Sequence, residues 1–222
     1  MTDATLRRIA GAAILAAALT AAAMTAAEIV TAPYNPQATL LGLDGPVHLI
    51  KYLAMVVLLV SLPAAFIVQR ATAGRLGFAG IVLILFGLGA AGTPFNVLEM
   101  TLDPGQPVPA LQATWDQLTD TALLGALGGV GFLSFLIGIV AFALATRRAG
   151  GAARSVAAIS LVGLGIAFAR SLTLDALPGV IPHPPAWMLL GLAAYGVLVW
   201  RPVTPTETVG ERQRLLEHAT GA

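Results

Sequence analysis

Long blocks of apolar residues decide what this chain can fold into. Charged residues make up only 10% of its 222 residues, whereas they make up about 25% of soluble domains. A helix of about 20 residues crosses the roughly 30 Å of hydrocarbon in a bilayer. We therefore predict an all-α integral membrane protein, a bundle of six transmembrane helices within residues 1–201 followed by a short cytoplasmic tail at 202–222. The predicted spans are 9–30, 47–68, 76–98, 119–145, 155–174 and 186–200.

The first apolar block has two interpretations. Arg7 and Arg8, an alanine-rich run and the sequence Thr25-Ala26-Ala27 imitate a secretory signal peptide. The run is about 20 residues long, which exceeds the usual 7–15 apolar residues of a signal peptide. We therefore predict a retained first helix, with a cleaved signal peptide as the alternative.

Charged residues between the spans indicate the orientation of the bundle. Basic residues occupy alternate gaps, whereas the other gaps carry acids such as Asp44, Asp103 and Asp175. Because arginine-rich ends stay cytoplasmic, we predict three sequential hairpins with both termini inside. Abundant arginine, alanine and glycine with one lysine favour a bacterial inner membrane. The basic residues of these gaps are Arg7, Arg8, Arg70, Arg75, Arg147, Arg148, Arg154, Arg201, Arg212 and Arg214.

The longest outer loop is predicted at residues 100–118. Its DPGQPVP sequence favours irregular backbone. The loop ends in Thr114-Trp115-Asp116-Gln117, which fits a capping box opening the fourth helix. In that reading, Asp116 and Asp120 lie in the first turns of the helix, where carboxylates favour the positive end of its dipole.

Two glycine patterns predict close packing of helices. GLGAAG, at 87–92, matches a phosphate-binding fingerprint, but that motif requires a strand and a turn before its helix. Inside a membrane span, its glycines instead favour close approach of a neighbouring helix. Gly125 and Gly129 predict the same packing on the fourth helix.

No catalytic or metal-binding constellation is recognisable in the sequence. His48, His183 and His218 do not have the spacing of a metal-binding helix. Asp116 and Asp120 share a helical face, yet no second acidic cluster matches them. A net charge of +1 argues against nucleic acid as a partner, and no cofactor can be named.

Lys51, the only lysine, opens the second span and needs an offsetting partner. It lies about 28 Å along its helix from Arg70, just beneath the predicted outer surface. Its position in the N-terminal turn is unfavourable for a cation, because that end of the helix dipole is positive. Glu28 and Glu99, which end the first and third spans at the same level, are the predicted partners.

A layer of polar residues is predicted near the outer surface. Pro94 should bend the third helix and free a backbone carbonyl. The layer could be a structural ion-pair girdle, a site for an anion, a lipid headgroup or a proton, or a set of independently snorkelling side chains. Its members are Glu28, His48, Lys51, Tyr52, Asn96, Glu99, Arg170 and Asp175.

Three functions remain open at this point. The first is a non-enzymatic binding or accessory protein whose outer pocket takes a lipid, a small ligand or a partner subunit. The second is a small secondary transporter, alone or as one protomer of a homo-oligomer, coupled through Glu99 with Lys51 or Arg170. Absence of an ionisable residue at mid-depth ranks transport below binding. The third is an outer-face lipid-modifying enzyme using His48, Asp116 or His183.

Overall fold

Nearly all of the described chain is helical. The computed structural model describes residues 3–31, 44–100, 108–148, 151–172 and 184–201. Helical backbone runs from Asp44 to Gly87 and continues through a π turn at Leu88–Gly92 into the helix Thr93–Met100, with a break at Gly74. We label the helices α1 (Asp3–Thr31), α2 (44–73), α3 (75–100, including the π turn), α4 (Val108–Thr119), α5 (Ala122–Arg148), α6 (Gly151–Leu172) and α7 (Pro184–Trp200).

Gly74 turns α2 back into α3. Its φ of 59° and ψ of −162° lie in a region that is essentially restricted to glycine. Residues paired across the hairpin show that the chain reverses there, because their midpoints all lie between residues 71 and 74. These pairs are His48 with Asn96, Met55 with Gly92, and Phe66 with Gly77 and Phe78. The two helices are therefore antiparallel.

Glycines bring α3 and α5 into backbone contact. A Cβ added at Gly80 would lie 2.6 Å from the backbone nitrogen of Phe142, and one at Gly138 would lie 2.7 Å from that of Ile84. Further along the same two helices, a Cβ added at Gly87 would lie 2.7 Å from the carbonyl oxygen of Gly131. The predicted close packing of the GLGAAG glycines is therefore correct for Gly87. A Cβ at Gly89 meets no described atom within 4 Å, and one at Gly92 makes only ordinary contact, 3.5 Å from the Met55 sulfur.

The predicted packing of Gly125 and Gly129 is not found among the described residues. A Cβ at either position meets no described atom within 4 Å. The close contacts of α5 with α3 begin at Gly131 instead, where an added Cβ would lie 2.9 Å from the Cβ of Ala91.

Close contact also joins the first and last helices. A Cβ at Gly11 would lie 2.5 Å from the backbone nitrogen of Trp200, and one at Gly196 would lie 2.6 Å from that of Leu15. α1 also packs against the α2–α3 hairpin, while α6 packs between α5 and α7. The resulting core contains fully buried apolar side chains from several helices, including Ile14, Leu58, Ile84, Ile139 and Leu192.

Four helices are long and apolar enough to cross a membrane. They are Ala4–Ala27, Gly45–Ile67, Ala73–Leu98 and Ala122–Arg148, and shorter apolar stretches lie at Ala152–Ala167 and Met188–Trp200. Large apolar side chains face outward, as a lipid-facing surface requires; Val60 and Leu123 are 72% and 73% exposed. The prediction of an all-helical protein with membrane-length spans is confirmed, and the crossing of all six helices stays a prediction.

The structure corrects the predicted loop before the fourth span. Residues 108–119 form α4 and residue 100 ends α3, so these parts of the predicted 100–118 loop are helical. Thr114 lies inside α4, where its hydroxyl donates to the carbonyl of Ala110, so it is not the predicted N-cap of the next helix. The next helix begins at Ala122, where the Thr121 hydroxyl accepts the N–H of Leu124 at 3.3 Å. The capping residue is therefore Thr121, whose side chain satisfies one of the free N–H groups of that helix start.

Candidate functional site: a histidine–asparagine pair beside Lys51

His48 of α2 and Asn96 of α3 meet inside the bundle. The Nδ1 atom of His48 lies 3.4 Å from the Oδ1 atom of Asn96. The two side chains are only 1% and 2% exposed. Buried polar groups cost free energy unless they are paired, so this contact fixes the level at which the two helices face each other.

Asn96 also determines which atom of His48 carries a proton. The Asn96 side-chain nitrogen donates to the carbonyl of Gly92, one turn earlier in the same helix. The remaining oxygen can only accept, so the Nδ1 atom of His48 must be the donor. In a neutral ring Nε2 is then an acceptor, whereas in a charged ring it is a second donor.

A π turn places Gly92 and Asn96 in this arrangement. Thr93 donates both its backbone N–H and its hydroxyl to the carbonyl of Leu88, the latter at 3.0 Å. Pro94 has no N–H to donate and crowds the preceding turn, which accounts for a widened turn directly before it. The predicted disturbance at Pro94 therefore takes the form of a π turn at Leu88–Gly92, a feature often found at functional sites.

Lys51 and Tyr52 extend this polar region toward the surface. Both side chains are half-buried, whereas Met55, one turn further along α2, is buried. Lys51 and Tyr52 follow the buried His48 by three and four positions, so they lie on the same side of α2. We call the end of the bundle that carries these residues the polar end.

The remaining members of the predicted layer are located only by their helices. Glu28, Glu99 and Arg170 lie within α1, α3 and α6, near the helix end that our topology assigns to the outer surface. Their side chains, and all of Asp175, lie outside the described residues. The pairing of Lys51 with Glu28 or Glu99 therefore stays a prediction.

The other candidate residues do not gather at one place. Asp116 lies in the last turn of α4 and Asp120 directly after it, so the predicted position of both at a helix start is wrong. Both side chains are exposed. Within the described ranges, no three histidines or acids are grouped as a metal site would require. His183 and His218 lie outside those ranges.

Serine and threonine hydroxyls in the bundle serve their own helices. Thr25, Ser61, Thr146 and Ser160 each donate to the carbonyl four residues earlier. Such bonds satisfy a buried hydroxyl without joining two helices. The His48–Asn96 contact differs because it links two helices through side chains.

Comparisons with protein-family models, curated proteins and solved structures find no match for this chain. The polar end must therefore be interpreted from its own chemistry.

One part of this site was missed by sequence reasoning. Sequence reasoning places Gly92 and Asn96 on one face of the third helix but does not predict the hydrogen bond from the Asn96 side chain to the Gly92 carbonyl. The available signal was the order Gly92, Pro94, Asn96. A proline two residues before an asparagine places an amide side chain next to the backbone that the proline disturbs.

Proposed function

We propose that this protein is a non-enzymatic binding protein of a bacterial inner membrane, which recognises an anionic group at its polar end. The ligand chemistry is that of a phosphate or carboxylate, carried either by a lipid headgroup or by a small soluble anion. The buried contact between His48 and Asn96 carries the proposal. An ionisable side chain within a membrane span is by default a candidate for function.

Energetics argue against a purely structural role for the pair. Hydrogen bonds between membrane helices contribute about 0.6 kcal/mol on average. Glycine-mediated packing of α3 on α5 already holds helices together without polar groups. A polar pair at one end of the α2–α3 hairpin therefore adds little to cohesion, whereas it holds a buried histidine ring in a defined tautomer beneath Lys51 and Tyr52.

Several groups at the polar end favour an anion. Lys51 supplies an ammonium and Tyr52 a hydroxyl, and both are half-buried and hence accessible. The N-terminal turn of α2 begins at Asp44, so the positive end of its dipole faces the same region. The N-terminal turn of α2 is unfavourable for the charge of Lys51, but it is favourable for an anion that binds to Lys51.

The proposed topology has six spans with both termini in the cytoplasm. Its support is the packing of α1 against α7: the Arg7 side chain hydrogen-bonds to the carbonyls of Val199 and Arg201, so the start of α1 and the end of α7 lie together. The basic residues near that end favour the cytoplasmic side. The polar end then faces outward.

Transport is the second candidate, and the π turn is the observation that favours it. Transporters bind substrates where a membrane helix departs from regular geometry, and α3 widens into a π turn at Leu88–Gly92, beside the His48–Asn96 pair. In this version the pair and Lys51 bind the substrate, and Glu99 or Arg170 couples its movement to an ion.

Thermal unfolding in the presence of ligands tests the binding proposal. Wild type and the variants Lys51→Met and Asn96→Leu are reconstituted in nanodiscs of phosphatidylcholine, with or without phosphatidylglycerol, and also titrated with inorganic phosphate. Ser61→Ala is the matched control, since it removes a buried hydroxyl of α2 that donates to the carbonyl of Val57 in its own helix. A ligand at 100 times its Kd stabilises by about 2.7 kcal/mol.

We expect phosphatidylglycerol or phosphate to raise the melting temperature of wild type and Ser61→Ala, and to do so much less for the other two variants. A shift with phosphatidylglycerol alone identifies a lipid headgroup, and a shift with phosphate alone identifies a soluble anion. Equal shifts in all four proteins would refute the site. Uptake of phosphate into proteoliposomes, lost in Lys51→Met, would instead establish the transport alternative.

A further inference from the structure

Arginines of α3 and α5 lie level with one another at the end of the bundle opposite the polar end. The two helices are antiparallel, and a Cβ added at Gly77 would lie 3.4 Å from the Cβ of Ala145. Each residue forward along α3 is matched by one residue back along α5, and contacts nearer the middle of the bundle follow the same register. Continued by two residues, this register places Arg75 level with Arg147, and Arg148 comes directly after it.

The charges of these arginines are not balanced within the described part of the chain. Arg75, Arg147 and Arg148 are exposed, and none of them has a hydrogen-bond or ion-pair partner among the described residues. The sequence contains no acid in 45–98 or in 121–174. Closely packed helices have axes about 8 Å apart, which is within the screening length of about 10 Å in moderate salt. The arginines of the two helices therefore repel each other unless an anion lies between them.

Exposed apolar side chains lie directly beneath the arginines. Phe78, which is 57% exposed, follows Arg75 by three positions. Leu144, which is 41% exposed, precedes Arg147 and Arg148 by three and four positions. Residues at these spacings are neighbours on the surface of a helix, so each helix presents a cation above an apolar surface. The exposed surface of α3 continues through Val82 and Phe86.

We propose that a phospholipid with an anionic headgroup binds along the α3–α5 seam, the line on which these two helices pack. Its phosphate binds between Arg75 and the pair Arg147 and Arg148, because guanidinium groups match phosphate oxygens in geometry and charge. An acyl chain covers Phe78 and Leu144. A soluble anion would use the arginines but leave the apolar side chains uncovered, so the combination favours a lipid. The site does not depend on the function proposed for the polar end.

A photoreactive side chain reports which lipid lies at this seam. Benzoyl-phenylalanine replaces Phe78 or, as the matched control, Ile9 of α1. The two positions are 57% and 56% exposed, and both lie close to an exposed arginine at the same end of the bundle. The proteins are reconstituted in nanodiscs of equal amounts of phosphatidylcholine and phosphatidylglycerol and irradiated, and the crosslinked lipids are identified by mass spectrometry. We expect the ratio of phosphatidylglycerol to phosphatidylcholine to be about fivefold higher at Phe78 than at Ile9.

Arginine variants connect this ratio to the seam. Arg75→Gln and Arg148→Gln should each lower the ratio at Phe78 toward the ratio at Ile9, whereas Arg75→Lys, which keeps the charge, should retain most of the excess. Arg8→Gln should leave the ratio at Phe78 unchanged, because the exposed Arg8 belongs to α1, which packs against α7 and the α2–α3 hairpin. In nanodiscs of phosphatidylcholine alone, Arg75→Gln should melt no lower than wild type, since it removes a repulsion.

Three results would overturn the lipid site. Equal ratios at Phe78 and Ile9 would show that anionic lipid only follows the overall positive charge of this end. Loss of the excess at Phe78 when inorganic phosphate is added at constant ionic strength would assign the arginines to a soluble anion. An excess that appears only after the tail acids are changed to glutamine would assign the arginines to the tail. These acids are Glu207, Glu211 and Glu217.

The same measurement separates this site from the polar end. Lys51→Met and Asn96→Leu change the polar end, at the other end of α2 and α3, and should leave the ratio at Phe78 unchanged. Failure of the binding proposal for the polar end therefore leaves this site standing. Equal ratios at Phe78 and Ile9 would in turn leave the polar end unaffected.

Discussion

His48 and Asn96 lie within 3.4 Å of each other although 48 residues separate them in the chain. A continuous helix would place them about 72 Å apart, at 1.5 Å per residue. Gly74, midway between them to within two residues, permits the reversal with its positive φ. The candidate site therefore depends on a glycine at the far end of the bundle.

Replacement of Asn96 by leucine should destabilise the protein by about 1–3 kcal/mol, because it leaves the buried His48 without its amide acceptor. His48→Leu should have a similar effect, and the double variant should be less destabilised than the sum of the two. A chemical or thermal unfolding cycle measures this coupling. Exact additivity would show that the contact does not contribute to stability.

Substitution by alanine should have opposite effects on stability at two glycines of α5. Gly138→Ala places a Cβ 2.7 Å from the backbone nitrogen of Ile84, which cannot move easily, so we expect destabilisation of about 1–3 kcal/mol. Gly129→Ala meets no described atom within 4 Å and should be neutral or stabilising by up to about 1 kcal/mol. Melting temperatures of the two variants test this. Destabilisation by Gly129→Ala would show that another surface packs on this part of α5.

Lys51 and Glu99 should be energetically coupled. If they pair away from water, removing one partner strands the other, at about 3–5 kcal/mol in a dry site and less near the interface. Lys51→Met and Glu99→Gln should each lower the melting temperature, and the double variant should be no worse than either. Strictly additive shifts would exclude this pair and make Glu28 the next partner to test.

Cysteine labelling tests the orientation, and the chain contains no native cysteine to interfere. Single cysteines at Gly105 and Pro182 should react with a membrane-impermeant reagent added to intact cells. A cysteine at Gly150 should react only after the cells are opened. The opposite pattern would invert the assignment of both ends of the bundle.

The first helix should remain attached in the purified protein. Its Ile14, Ala18 and Ala21 are fully buried in the core, so loss of α1 would expose apolar surface of its neighbours. Intact-protein mass spectrometry should find residues before Glu28. A mature N-terminus at Met24 or Glu28 would establish the signal-peptide alternative.

Helical architecture and the approximate spans follow from sequence because they depend on local properties. Any block of about 20 apolar residues must satisfy its backbone internally in a bilayer, and a helix does this within the block itself. The polar character of His48, Lys51 and Asn96 at the ends of such blocks is equally visible in the sequence. The effect of a proline on its own helix is also local, so a departure from regular helix near Pro94 could be predicted.

Only the tertiary structure decided which of these residues meet. Their positions along the predicted spans place His48 and Asn96 in one layer, but their contact also requires the reversal of the chain at Gly74. The sequence pattern predicts close packing at Gly125 and Gly129, yet the close contacts of α5 with α3 lie at Gly131 and Gly138. The N-cap at Thr121, in place of Thr114, was set by the end of α4. In each case the deciding quantity is the position of another helix, which local pattern does not contain.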